Sequence, residues 1–170
     1  MKRVNKMKII FLDYDGVVNN LVFNEIDGEP TFYSKDWDKN PDKRDFSVND
    51  FQAVAWLNKI VREFNCKIVV SSTWRMRKDY KECLYNAGFK GEIIGRTPEL
   101  EQHVSHETRG REIKMWLDEH PDIEDFVILD DDADMWILKD HLIQTNTYRG
   151  LGYEEYQKIC NRWENNKNEI

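Results

Sequence analysis

The chain has 170 residues, 40% hydrophobic and 34% charged, a balance that fits one soluble globular domain with a substantial core. Its net charge of -7 gives no overall field to attract nucleic acid or other polyanions, so a phosphate-bearing substrate must be met by local cations or a metal. No apolar run reaches membrane-spanning length, and the N-terminal Ile-Ile-Phe-Leu is too short for a secretory signal. Three widely spaced cysteines (Cys66, Cys83 and Cys160) without a Cys-x-x-Cys read as free thiols in a reducing compartment, so a cytoplasmic protein is expected.

In chain order, residues 1–7 carry Lys2, Arg3 and Lys6 but no apolar pattern, and read as a lead-in. Ile9-Ile10-Phe11-Leu12 is the pattern of a strand buried on both faces, and it stops at Asp13-Tyr14-Asp15-Gly16. Residues 20–46 form a long insert with Gly28, Pro30, Pro41 and the aromatics Phe23, Phe32, Tyr33, Trp37 and Phe46. It reads as a loop or small β-flap beside the strand-one carboxylates, its aromatics either a hydrophobic plug or a platform for stacking a base. Ser47–Asp50 has the form of a capping box, and Phe51, Val54, Leu57, Val61 and Phe64 predict a helix over 48–65. Lys67–Val70 is a second buried strand, running into Ser71-Ser72-Thr73-Trp74-Arg75. A helix over 78–86 stopped by Gly88 follows, then a third strand at 92–95 and an irregular stretch at 96–108.

The next helix, 110–119, buries Ile113, Trp116 and Leu117, with Pro121 just beyond it. Phe126–Leu129 is a fourth strand ending in Asp130-Asp131-Asp132. A short helix near 133–139, a fifth strand at 142–145 and a last helix at 153–164 complete the chain. That last helix is expected to turn Tyr153, Tyr156, Cys160 and Trp163 to the core.

Strands alternating with helices predict an α/β fold: a single Rossmann-like parallel sheet of about five strands flanked by helices, spanning residues 1–170 as one domain. Ligands of such sheets bind beyond the carboxyl ends of the strands, and strands one, two and four each end in a polar cluster there. Asp13 and Asp15, two residues apart, project to the same side if the chain stays extended, and like charges that close call for a proton or a cation between them. The Asp130–Asp132 run supplies further carboxylates for a hard divalent cation, or an N-cap for the helix that follows. Ser71, Ser72 and Thr73 offer hydroxyls and backbone N–H groups to a phosphoryl oxygen, or a cap for the next helix, with Arg75 close by as a cation.

The strand followed by Asp13-x-Asp15-Gly16-Val17-Val18 resembles the first motif of the haloacid dehalogenase (HAD) phosphohydrolase superfamily. The resemblance implies that Asp13 is the nucleophile and Asp15 the acid/base. Leu129-Asp-Asp-Asp-Ala-Asp134 resembles the fourth motif of that family, which makes Asp130 the first and Asp131 the second metal-ligand candidate, alongside Asp13 and Asp15, with Asp134 behind them. The second motif, a single Ser or Thr, falls by register on Ser72, with Thr73 and Ser71 as alternatives. The third, a Lys or Arg near the helix before strand four, is met by Arg109, Arg111 or Lys114. Ser-Ser-Thr-Trp-Arg and Thr108-Arg-Gly-Arg-Glu-Ile-Lys114…Trp116-Leu117 look like a small bacterial and phage HAD subgroup. That subgroup is similar to the phosphatase domains of polynucleotide kinase–phosphatases and RNA-repair proteins.

The resemblance implies a Mg²⁺-dependent phosphomonoester hydrolase working through an aspartyl-phosphate, with Ser72, Thr73, Arg109 and Lys114 as the phosphate-binding set. A two-metal nuclease, a receiver-like phosphoacceptor and a catalytically silent phosphate-binding module are the alternatives. A receiver is expected to carry a single acceptor Asp on a later strand. The 20–46 insert is too short for a full cap domain, so an open site accepting a phosphorylated small molecule or nucleic-acid end is expected, with Phe32, Tyr33 and Trp37 available to stack a terminal base. Whether Tyr148, Arg149 and Tyr153 line the site stays open, as does the oligomeric state.

Overall fold

The computed structural model describes residues 7–19, 25–26, 29–30, 50–101 and 106–165. Its strands and helices are β1 (Met7–Leu12), β2 (Glu25–Ile26), β3 (Glu29–Pro30), α1 (Phe51–Phe64), β4 (Lys67–Val70), α2 (Tyr80–Asn86), β5 (Ile93–Arg96), α3 (Thr108–Asp118), β6 (Ile123–Asp130), β7 (Leu142–Gln144) and α4 (Tyr153–Asn165). Two 3-10 turns, Thr73–Met76 and Trp136–His141, follow β4 and precede β7. Five strands form one parallel sheet in the order β5-β4-β1-β6-β7. Within the 20–46 insert, β2 and β3 pair antiparallel, while Phe23, Phe32, Tyr33, Trp37 and Phe46 lie outside the described residues.

β1 is the axis of the sheet. Ile9 through Leu12 are fully buried: Ile10 and Leu12 belong to the core shared with α1, α2 and α4, and Ile9 and Phe11 to the core under α3. That two-sided burial explains why the strand reads as a continuous apolar run rather than an alternation. From β1 the chain passes outward to β4 and β5, then returns past β1 to β6 and β7. The connections leaving β1 and β6 therefore diverge, which opens a crevice between their carboxyl ends.

Element order agrees with the periodicity, and several details differ. Asp50 is itself the N-cap of α1, its Oδ1 accepting from Gln52 N at 2.7 Å, in place of a box opened by Ser47, which lies outside the described residues. Phe51 is 63% exposed because the buried stripe of α1 runs through Ala53, Val54, Leu57 and Ile60, leaving the first helical position off its face. On α4 the core is met by Ile159 and Trp163, one turn apart, while Cys160 is half-buried and Tyr153 is exposed. Tyr153 stands at the first position of the helix, where it rests on Trp56 (ring centroids 5.7 Å apart) and is 56% exposed. The helix expected near 133–139 is a 3-10 turn starting at Trp136, whose φ of +54° lies outside the α-helical region.

All three cysteines are free, and burial pushes the Cys66 and Cys83 thiols up to about 12. Among the described residues no helix is long and apolar enough to cross a membrane.

Candidate active site

Strand alternation delivers the first two carboxylates. Asp13 follows Ile9 and Phe11 on the α3 side of β1, and Asp130 follows Ile128 on the same side of β6. The ladder runs one residue past β1, Asp13 N donating to Leu129 O at 2.9 Å, so the two are held side by side at the mouth of the crevice. Both are buried, and with Asp131 they bring carboxylate oxygens within 4.8 Å of one another. Asp131 is positioned from the end of β7 and the loop after it: Thr147 Oγ1 donates to its Oδ2 at 2.7 Å, and Gln144 Nε2 to its carbonyl at 2.9 Å. Gly16 closes against it from below. Its φ is +75°, and a Cβ there would stand 2.2 Å from the Asp131 carboxyl carbon, so both conformation and space require glycine.

Asp15 does not join the three-carboxylate group. After Asp13 the chain turns, the Tyr14 carbonyl accepting from Val17, Val18 and Asn19 N, and Tyr14 drops into the core with its hydroxyl on Tyr80 O at 2.7 Å. Asp15 is left half-buried beside the cluster. Trp74 Nε1 donates to its Oδ2 at 2.9 Å and Asn19 Nδ2 to its Oδ1 at 2.7 Å, which fixes the carboxylate in one orientation.

The second polar cluster closes the other wall. Ser71 N and Ser72 N both donate to Leu12 O, fastening the end of β4 to the end of β1. Ser72 Oγ caps the 3-10 turn by accepting from Trp74 N at 3.3 Å, and its hydroxyl lies close enough to the Asp13 carboxylate to draw its pKa down. Thr73 is exposed, and Ser71 is buried with its Oγ unpartnered. Of the three hydroxyls, Ser72 is the one on Asp13.

Arg75, expected beside the same phosphate, has another role. It is buried, forms a 2.7 Å ion pair with Glu112, and donates to the carbonyls of Ser71, Ser72, Thr97 and Pro98. Its charge is spent on shaping the serine corner.

Among the described basic residues before β6, Arg109 is the one that pairs with the carboxylates. Its Nη2 lies 3.8 Å from Asp13 Oδ1 and its Nε 3.4 Å from Asp130 Oδ2. The first turn of α3 is held on the loop after β6: Arg109 N donates to Asp134 Oδ2 and Gly110 N to Asp134 O. A Cβ on Gly110 would stand 2.1 Å from Met135 O, so glycine permits the approach that carries Arg109 inward. Arg111 pairs with Glu107 and covers the Trp136 ring, and Lys114 pairs with Asp118 on the helix surface. Asp132 is exposed and caps Ala133 N, while Asp134 serves the α3 turn.

Burial is the main reason the Asp13 and Asp130 carboxyls are held above their ordinary range. Arg109 draws both down, while the Asp131 carboxylate raises Asp13, and Asp13 and Asp131 together raise Asp130. Burial alone would depress Arg109, but the facing Asp13 and Asp130 carboxylates push it up instead. Three carboxylates this close need more positive charge than one arginine provides. Asp130 Oδ2 is buried without a hydrogen bond, since its contact with Arg109 Nε lacks hydrogen-bond geometry. An all-oxygen donor set with an orphaned buried oxygen fits a hard divalent cation.

The parallel sheet with Asp13, Ser72 and Asp130 at the carboxyl ends of its strands, and Arg109 reaching them from the first turn of α3, fits a HAD-type domain of the phosphohydrolase class. The family model for the HAD domain in Swiss Army Knife RNA repair proteins matches residues 9–156, and the chain belongs to that family. No curated protein and no solved structure matches the chain.

Sequence reasoning missed Trp74 and Asn19 as the holders of Asp15, Gly110 as the seat of Arg109, and Thr147 as the donor to Asp131. Gly110, lying between two arginines at the start of a predicted helix, was the one with a visible signal, because glycine there is unfavourable unless something packs against it.

Proposed function

We propose that this protein is a Mg²⁺-dependent phosphomonoester hydrolase that works through an aspartyl-phosphate on Asp13 and acts on phosphorylated nucleic-acid ends. The observation that carries the reading is the company Asp13 keeps. It is buried at the mouth of the β1/β6 crevice with the Ser72 hydroxyl and the Arg109 guanidinium on it, and with Asp130 and Asp131 within 4.8 Å. A carboxylate that merely caps a turn has no need of this surround.

In the first step an Asp13 carboxylate oxygen attacks phosphorus in line, the bond from phosphorus to the leaving oxygen breaks, and Asp15 gives that oxygen its proton. In the second step Asp15 takes a proton from water, the water oxygen attacks phosphorus, and the Asp13–phosphorus bond breaks to release inorganic phosphate. Trp74 and Asn19 keep Asp15 in one orientation through both transfers. Arg109 and the Ser72 hydroxyl face the equatorial phosphoryl oxygens, where charge is spread in the transition state. Asp13, Asp130 and Asp131 are the residues that would hold Mg²⁺, which when bound neutralises phosphoryl charge.

The nucleic-acid end as substrate is supported by the RNA-repair family to which the chain belongs. A receiver-like phosphoacceptor has no use for a second carboxylate held by Trp74 and Asn19, which favours the hydrolase. Initial rates on an aryl phosphate with and without Mg²⁺ test the reading: turnover is expected only with the metal and is lost by at least about a thousandfold in Asp13→Asn. Metal-independent turnover, or an Asp13→Asn protein of near wild-type rate, contradicts it.

A further inference from the structure

Outside the carboxylate crevice, the loop after β7 and the first turn of α4 border a half-open cavity of about 270 Å³ lined by Asn146, Arg149, Gly150, Tyr153, Glu154 and Glu155 among others. Its volume is just below the roughly 300 Å³ at which small-molecule sites begin, room for about one nucleoside. We infer that this cavity is the subsite for the nucleoside next to the scissile phosphate, with Tyr153 stacking on its base. The inference rests on the hydrolase reading above and deepens it.

The cavity is bound to the catalytic loop by its own strap. Thr145 Oγ1 donates to Gly16 O at 2.7 Å, Thr147 Oγ1 to Asp131 Oδ2 at 2.7 Å, and Leu151 N to Val17 O at 2.8 Å. Thr147 therefore touches a carboxylate of the candidate metal group, and Arg149, two residues on, already lines the cavity. One short loop thus contacts both the candidate metal group and the cavity.

The chemistry of the walls selects the occupant. Tyr153 is 56% exposed, and its ring is backed by Trp56 and Tyr156 at centroid distances of 5.7 and 6.3 Å. Gln157 Nε2 donates to its hydroxyl at 2.7 Å, so the ring is braced while one face remains available. A braced aromatic of this kind stacks any base. One arginine against two glutamates gives no net positive charge, which disfavours a second phosphate. Glu155 is occupied with the Gly152 N–H, while Glu154 is an acceptor suited to ribose hydroxyls. Arg111 over Trp136 makes another aromatic surface, but there the guanidinium covers the ring that a base would need.

The test is equilibrium binding to the full-length Asp13→Asn protein, which does not depend on turnover. A 3′-phosphorylated diribonucleotide is expected to bind about tenfold tighter than inorganic phosphate. Tyr153→Ala should erase that advantage and Tyr153→Phe should keep it, with circular dichroism confirming that both variants fold. In wild-type background, Tyr153→Ala should lower the ratio of kcat/KM for the diribonucleotide to that for an aryl phosphate by a similar factor. An advantage that survives Tyr153→Ala, or that is absent in the parent, overturns the subsite. Loss of turnover on every phosphomonoester, with Tyr153-dependent binding retained, overturns the hydrolase reading and leaves the subsite standing.

Discussion

Two buried arginines stand on the same side of the sheet and have opposite fates. Arg75 is fully engaged: a 2.7 Å pair with Glu112 at 4% exposure on both sides, and carbonyls of four residues around its remaining donors. Arg109 faces two carboxylates at 3.4 and 3.8 Å, and its Nη1 is buried without a hydrogen bond. Burial lowers the proton affinity of Arg75, with Glu112 only partly offsetting it, whereas the facing carboxylates raise that of Arg109. A buried cation left half-paired is costly and persists where something else completes it. Arg75 thus belongs to the architecture, and the hydrolase proposal gives the remaining Arg109 donors a phosphoryl oxygen to meet.

The contrast separates stability from rate. Removing Arg75 leaves Glu112 buried and uncompensated, so Arg75→Ala should cost on the order of 3–5 kcal/mol, read as a lower urea midpoint. Arg109→Ala should lower kcat/KM on an aryl phosphate about 10²- to 10³-fold while moving the urea midpoint less than Arg75→Ala does. Equal stability losses in the two variants, or a larger rate loss for Arg75→Ala among folded molecules, would erase the distinction. A smaller effect is expected at Thr147→Val, which removes one hydrogen bond to Asp131 worth about 1 kcal/mol. It should raise the Mg²⁺ concentration for half-maximal rate a few-fold and leave the rate at saturating metal close to wild type.

Much of this was legible in the sequence because strand geometry is periodic. An apolar run buried on both faces, ending in Asp13, and a second ending in Asp130 place two carboxylates on one edge of a parallel sheet whatever the helices do. Ser72 was legible by the same register. The role of Arg75 was not. As a strand-end cation it looks like a phosphate ligand, and its partner Glu112 lies on a helix surface by composition alone. Only the packing of α3 against the serine corner shows that the two neutralise each other. Choosing Arg109 over Arg111 and Lys114 likewise needed the docking of α3 through Gly110 on Met135, a contact between segments distant in sequence. Tyr153 misled for a simpler reason. It holds the right helical position for the core, but at the first residue of α4 it is 56% exposed, past the end of the stripe that Ile159 and Trp163 bury.

The central claim is that Asp13 becomes phosphorylated. The most direct measurement is to mix enzyme, Mg²⁺ and a phosphomonoester substrate, quench with acid within one turnover, and locate the phosphoryl group by peptide mass spectrometry. The account predicts one phosphoryl group on the peptide containing Asp13, absent from Asp13→Asn and from enzyme without metal. Turnover with no phosphorylated peptide, or with the group on any other residue, contradicts it.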